Sequence, residues 1–460
     1  MTDLPTLETD VLVCGAGIAG LTAARTAQEA GARVIVLEKG PETGGSSAVS
    51  AGIVWTARDL AGWLSVQPGG DPTLGKALVT TYPEAIQWLR SQDVRLDPFE
   101  FGESGWNPPF PYVAFQLERR DDGRSNPRAA MDRLTANIAD AGGRIFTETA
   151  IRTFLQDAAG RIVGAEAQGP DGRVRISAGT TVMATGGFQG SPELRARYFG
   201  PNSDRMILRA NPYSTGEAFQ AALAVGAGSA GPFGRFYGHR VVAPPAVVDF
   251  PSFPRVHLGG ALPGAILVNL RGERFVDDSL SDEVSVHAIP HQPEALAFLI
   301  YSESDASSEV GSAALEPVRS VGTEILQAPS LDALAQRMSK TWGVARTPLL
   351  DTIAAYNAAA NAGDPTMLPI PRASDLRPLA LSPFYAIRFL PGITVTYGGV
   401  RIDALTQVLD STGRPLGGLY AAGADAGGIY TRGYTGGLSM ALAFGRIAGR
   451  QAAASALSPY

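Results

Sequence analysis

DVLVCGAGIAGLTAARTAQEAGARVIVLEK, residues 10–39, fixes how this 460-residue chain begins. The apolar run over 11–14 predicts a strand, and Gly15-x-Gly17-x-x-Gly20 follows it at once. Helical spacing over 21–29 predicts a helix ended by Gly31, and 33–37 predicts a second strand closed by Glu38. Strand, glycine turn, helix and strand together make an α/β, Rossmann-like unit. Each glycine has its own task. Gly15 makes the turn, Gly17 lets backbone approach a pyrophosphate, and Gly20 permits close helix–strand packing. The helix start offers unpaired N–H groups and a positive dipole end to that pyrophosphate. Glu38 lies 38 − 20 = 18 residues past the last glycine, placed to meet ribose hydroxyls. An acid there disfavours a 2′-phosphate, so NADP is not expected while NAD and FAD both remain.

Bulk composition removes other classes. A net charge of −6 gives no basic footprint, so no nucleic acid partner is expected. Cys14 is the single cysteine, which leaves no disulfide framework, iron–sulfur site or Cys-based zinc site. The histidines, His257, His287 and His291 among them, show no metal-ligand spacing with acids, so no metal is expected. The acidic N-terminus does not read as a signal peptide, and no run approaches a membrane span. A cytoplasmic protein is the expectation. Glycine is abundant at 54 residues with no repeat period, which points to many tight turns or close approaches to a ligand.

The stretch GPETGGSSAVSAGIVW, 40–55, separates NAD from FAD, because a glycine–serine loop stands where an NAD domain would enter its next helix. From here the chain resembles the FAD-binding flavoproteins of the fumarate reductase and succinate dehydrogenase superfamily. VMATGGFQG (182–190), ANPYSTGEAFQAALAVGA (210–227), GERFVDD (272–278), TYGGVRID (396–403) and GGLYAAGADAGG (417–428) carry the resemblance in family order. It implies noncovalent FAD in a GR2-type, Rossmann-like domain with an inserted α+β capping domain. The cofactor residues it implies begin with Gly15, Gly17, Ile18, Ala19, Gly20, Glu38 and Lys39. The next group is Gly44, Gly45, Ser46, Ser47, Ala51 and Gly52. Ile151, Ala184, Thr185, Gly186, Gly423, Asp425, Leu438 and Ser439 complete it. The expected division is 1–235 and 376–460 for the FAD domain and 236–375 for the cap. Within the first part a three-strand meander is expected over 142–185. The cap should contain strands around AILVNLRGERFVDD and helices at LDALAQRMSKTWG and TPLLDTIAAYNAAANAG. The run Asp277-Asp278-Ser279 reads as a solvated turn.

The flavin-facing motifs depart from the fumarate reductases. FVDDSLSDE holds no arginine acid, VTYGGV has Val395 for histidine, and GYTGGLS replaces the arginine clamp, with Arg432 as a shifted candidate. GYTGG and GGSSAVSAGIVW instead resemble the 3-ketosteroid dehydrogenases and related ketone desaturases. That resemblance implies α-proton removal from a cyclic ketone or ketosteroid-like substrate with β-hydride transfer to flavin N5. Tyr434 is the expected base, a phenolate whose pKa must fall. Tyr397 and the N–H of Gly437 are expected to hold the carbonyl, and His239 is a candidate relay. Trp55 is a candidate wall of the pocket, and Tyr430 a lesser candidate. Three other readings stand beside this one: reduction of an activated C=C bond, dehydrogenation of a tricarballylate-like acid, and an NAD-dependent dehydrogenase. The expected partners are a small-molecule substrate and an external electron acceptor of unknown identity.

Overall fold

The computed structural model describes residues 4–101, 108–249, 253, 256, 258 and 260–458. His257 lies outside them. Strand β1 (Thr6–Cys14) is longer than the apolar run predicts, because its first half alternates between exposed and half-buried positions while 11–14 are buried throughout. Helix α1 (Ile18–Glu29) starts three residues before the predicted 21, with Gly17 as its N-cap. Strand β2 (Val34–Leu37) follows.

β1 pairs in parallel with β2, Val11 facing Val34 and Cys14 facing Leu37. On its other side it pairs in parallel with β3 (Gly172–Met183), Cys14 facing Met183. Strand 415–421 adds in parallel to β3, Ala421 facing Met183. Residues 144–146 extend the far edge beyond β2. The expected meander is present as strands 150–156 and 162–169 leading into β3. Cys14, Leu37, Met183 and Ala421 therefore end on one rim. Loops beyond the carboxyl ends of parallel strands are where α/β sheets bind ligands.

A second sheet gathers 207–208, β4 (Phe236–Val242), 266–268, 297–302, 325–328 and β5 (Phe384–Thr396). The 13-residue β5 is its spine, hydrogen-bonded to four of the others. The sheet thus draws 207–208 and β5 from outside the 236–375 segment. Helices Leu331–Trp342 and Arg346–Ala362 form where the helical patterns predict them. They bury Leu334, Met338, Ile353 and Tyr356 against Ile266 and Phe298 of this sheet in a core of their own. The 277–279 turn corrects the sequence reading. The Asp278 side chain is fully buried, bonded by Arg274 at 2.9 Å, Arg372 at 3.0 Å and the amide of Leu267 at 3.0 Å. The Arg274 fork, one N–H of Arg372 and a backbone donor offset the cost of burying that carboxylate.

Helix α2 (Gly437–Leu457) is apolar on most of its circumference because it is packed against α1, β1 and β3 at once. Gly445 and Gly449 face the backbone of α1. A Cβ on Gly445 would meet the carbonyl of Ala19 at 2.6 Å, and one on Gly449 the carbonyl of Ala23. Arg446 leaves this seam to bond Thr26 at 2.7 Å and Glu84 at 3.0 Å, with its guanidinium over Trp88.

Candidate active site

One cavity of about 640 Å³ runs along the rim of the first sheet and under the second. At one end it is walled by Glu38, Thr149 and Ile151, at the other by Tyr237, His239 and Tyr434. The first end is built from backbone. Gly15 follows β1 with φ +105°, and a Cβ there would collide with the carbonyl of Ala184, so only glycine lets the two rim loops touch. Gly17 presents a bare Cα to the cavity; a side chain there would meet nothing nearer than Ser47 Oγ at 3.6 Å. Ser47 Oγ accepts from the Ile18 amide at 3.2 Å, and Ser46 Oγ accepts from the Asn211 amide at 3.1 Å. Glu38 accepts from the amides of Ala16 at 2.9 Å and Gly40 at 2.7 Å, while burial raises its pKa. Lys39 pairs with Glu217 at 2.5 Å and bonds Thr215, tying the 215–217 turn to the end of β2. A bare glycine surface, a helix start and a carboxylate at the strand end suit an extended dinucleotide, and the same cavity continues to Tyr237 and Tyr434.

Seventeen of the expected cofactor residues face this cavity: Gly15, Gly17, Ile18, Ala19, Glu38, Lys39, Gly45, Ser46, Ser47, Ala51, Gly52, Ile151, Ala184, Thr185, Gly186, Gly423 and Leu438. Four do not, and each has another task. Gly20 packs against the carbonyl of Gly15. Gly44 packs against Ala48 and Met131. Asp425 is buried, and its carboxylate collects Thr185 and the Gly187 amide, which shapes the 185–187 turn from behind. Ser439 is buried and donates to the Trp55 and Gly436 carbonyls.

The other end is built from side chains. α2 begins at Gly437, and Gly437 and Leu438 reach the cavity. Gly436 caps the helix with φ +97°, and a Cβ there would strike the Trp55 carbonyl. Trp55 itself lines the cavity, edge-on to Tyr434 at 6.0 Å between centroids. The Gly437 amide donates to Tyr434 Oη at 2.5 Å. The expected roles meet a different arrangement here. The amide assigned to a substrate carbonyl is already spent on the phenol. Burial raises the Tyr434 pKa by more than the Gly437 bond and Arg209 lower it, so the phenol keeps its proton. Tyr397 is buried behind the wall, its ring 5.6 Å from Tyr430, and it does not face the cavity. Tyr430 donates to the Gly436 carbonyl at 2.7 Å and so braces the helix start. Arg432 is exposed.

The sequence reading missed Tyr237. It stacks on Tyr434 with ring centroids 3.5 Å apart and planes 7° from parallel. Its Oη lies 3.0 Å from His239 Nε2, and His239 Nδ1 lies 2.9 Å from Asp282 Oδ2. A carboxylate accepts from Nδ1–H, and burial holds His239 below the usual histidine pKa, so the ring is neutral and Nε2 accepts from the Tyr237 hydroxyl. Residues i and i+2 on a strand share a face. That alternation in FYGH was the available signal, and a weak one. Arg209 and Glu283, also missed, face the same space. Burial raises the Glu283 carboxyl to about 8. Among the described residues there is no cluster suited to a metal ion and no helix long and apolar enough to cross a membrane.

Residues 10–439 match the FAD binding domain family. A probable fumarate reductase of Shewanella frigidimarina (strain NCIMB 400) is 30% identical over 98% of this chain and 76% of its own length. The 4-oxocyclohex-2-ene-1-carboxylate 5-dehydrogenase of Sinomonas cyclohexanicum is 26% identical over 97% of this chain and 94% of its own. Among solved structures, the 3-ketosteroid-Δ4-(5α)-dehydrogenase of Rhodococcus jostii RHA1 superposes with a TM-score of 0.74 at 23% identity, covering 98% of both chains, a likeness of fold.

Proposed function

The chain belongs to the FAD binding domain family and is an FAD-dependent oxidoreductase acting on CH–CH bonds, and from that premise we propose that it desaturates a cyclic ketone between the α and β carbons. The Gly15–Gly17 turn, Glu38 and the loop of Ser46 and Ser47 would hold FAD, which would supply the two-electron acceptor. The stacked phenols carry the reading. Tyr434 takes the Gly437 N–H on its oxygen, which leaves its own O–H to donate to the substrate carbonyl. As the α proton leaves, charge grows on that carbonyl, and a donor already in place stabilises it without reorganisation. Tyr237, 3.5 Å away in the stack, accepts the α proton at Oη while its own proton passes to His239 Nε2. Asp282 holds His239 in the tautomer that can receive it and stabilises the imidazolium formed. The assignment thus moves the base from Tyr434 to Tyr237 and the carbonyl donor from Tyr397 to Tyr434.

The Sinomonas relative supports this reading, since its name places a dehydrogenation in an oxocyclohexene ring. The Shewanella relative supports the opposite direction, reduction of an activated C=C bond, which the same two phenols serve with the proton running from Tyr237 to the α carbon. The deciding experiment is anaerobic mixing of the oxidised holoenzyme with cyclohexanones, 3-ketosteroids, succinate and tricarballylate, followed by flavin absorbance. Bleaching by ring ketones and not by the acids is expected. Bleaching by succinate, or rapid fumarate reduction by the dithionite-reduced enzyme, sinks the ketone reading.

A further inference from the structure

Arg209 is the arginine that lines the cavity, while Arg195 is bonded to the Met206 and Asp204 carbonyls away from it. Arg274 and Arg372 share the Asp278 carboxylate, and Arg446 meets Glu29 and Glu84. Arg209 follows strand 207–208, its amide donating to the Ile393 carbonyl at 2.8 Å, and its side chain enters the cavity. There Nη1 donates to Thr394 Oγ1 at 2.9 Å, and the guanidinium sits 5.5 Å from the centre of the Phe253 ring. Nε is buried without an acceptor. No carboxylate among the described residues pairs with it. Asp282 is engaged with His239, and burial raises the Glu283 carboxyl, which weakens it as a counter-charge; no ion pair joins it to Arg209. An enclosed cation with open N–H donors is costly unless an anion arrives to take them. The planar fork selects for a carboxylate, which it grips with two parallel bonds. The cation shares its chamber with Tyr237 and Tyr434, which also feel its charge.

We propose that the substrate is an anion, an oxo-ring acid whose carboxylate docks on Arg209 while its carbonyl meets Tyr434. This rests on the ketone reading for the second half alone; the anion subsite stands on Arg209, Thr394 and Phe253. It excludes a neutral four-ring steroid as the preferred substrate. Arg209 enters from the segment before Asn211, far in sequence from the GYTGG motif where the resemblance places its own carboxylate clamp.

The test uses unreactive probes and the holoenzyme. Cyclohexanecarboxylate and the uncharged cyclohexanecarboxamide are titrated while the flavin spectrum and the heat of binding are followed. Wild type should bind the carboxylate about ten- to hundredfold more tightly than the amide, the range of a charge-assisted pair. Arg209→Gln should erase that preference while keeping its FAD, and Arg209→Lys should restore part of it. Equal binding of both probes by wild type overturns the proposal, and so does an unchanged preference in Arg209→Gln. Loss of FAD from both Arg209 variants also overturns it, because the guanidinium then serves the cofactor. Flavin bleaching by 4-oxocyclohexane-1-carboxylate and by its methyl ester separates this idea from the ketone reading. If the carboxylate probe binds through Arg209 but neither ring ketone bleaches the flavin, the subsite stands and the ketone reading falls. If both ketones bleach it equally well, and equally in Arg209→Gln, the ketone reading stands and the subsite falls.

Discussion

The two ends of the cavity are made in opposite ways. The end at Gly15, Gly17 and Glu38 is backbone and one carboxylate, supplied by loops that leave the same rim of one sheet. The end at Tyr237, Tyr434 and Arg209 is side chains, supplied by β4, by the turn before α2 and by the segment after 207–208. At the first end conformation is the function, so substitution should cost the whole ligand. At the second, conformation survives substitution and chemistry does not.

That contrast breaks if Gly15→Val still carries flavin. Its Cβ would occupy the position of the Ala184 carbonyl at φ +105°, and the variant should purify without FAD, read as absorbance near 450 nm after desalting. Tyr434→Phe and Tyr237→Phe should do the reverse. Each should keep full FAD content and slow flavin bleaching by the true substrate about 10²–10⁴-fold in stopped flow. A wild-type rate in either variant would reduce that phenol to packing. Glu283→Gln sharpens the picture of the second end as a desalted, proton-holding space. Its carboxyl titrates near 8 in the folded chain against an ordinary 4.5, so between those values the folded state holds the extra proton. Stability from that proton is complete below about 4.5 and is lost as pH rises through 8. Melting temperatures of wild type should therefore fall, relative to Glu283→Gln, between pH 5 and pH 9; parallel curves would refute the raised carboxyl. The smallest effect belongs to Arg432→Ala. Its side chain is exposed, so stability should move by less than about 0.5 kcal/mol and substrate KM should not move.

The same contrast explains what could be read beforehand. Gly15, Gly17 and Glu38 are neighbours in sequence because the βαβ unit is local, and their spacing is the geometry. Tyr237 and Tyr434 are stacked, yet nearly two hundred residues separate them, and no period connects FYGH to GYTGG. Tyr397 had the right composition around it, but it follows β5 directly and its ring packs by Tyr430, away from the cavity lining. Asp278 read as solvated because Arg372, one of its partners, lies far along the chain. Gly20, Gly44, Asp425 and Ser439 belong to the loops the motifs mark, but they do not line the cavity. Sequence shows which turn a residue belongs to; only packing shows which side of the turn it faces.

The glycine seam between α1 and α2 sets a length. Gly445 lies level with Ala19 and Gly449 with Ala23, so the helices run side by side in the same direction. Gly437 is eight residues ahead of Gly445, while Ile18 is one ahead of Ala19. α2 therefore overhangs α1 by seven residues, about 10 Å at 1.5 Å per residue. Both helix starts, at Ile18 and at Gly437, reach the same cavity as a fixed pair of marks. A gauge cut into two helices cannot drift with the loops around it. A bulky residue at Gly445 would strike the Ala19 carbonyl and force the two helices apart.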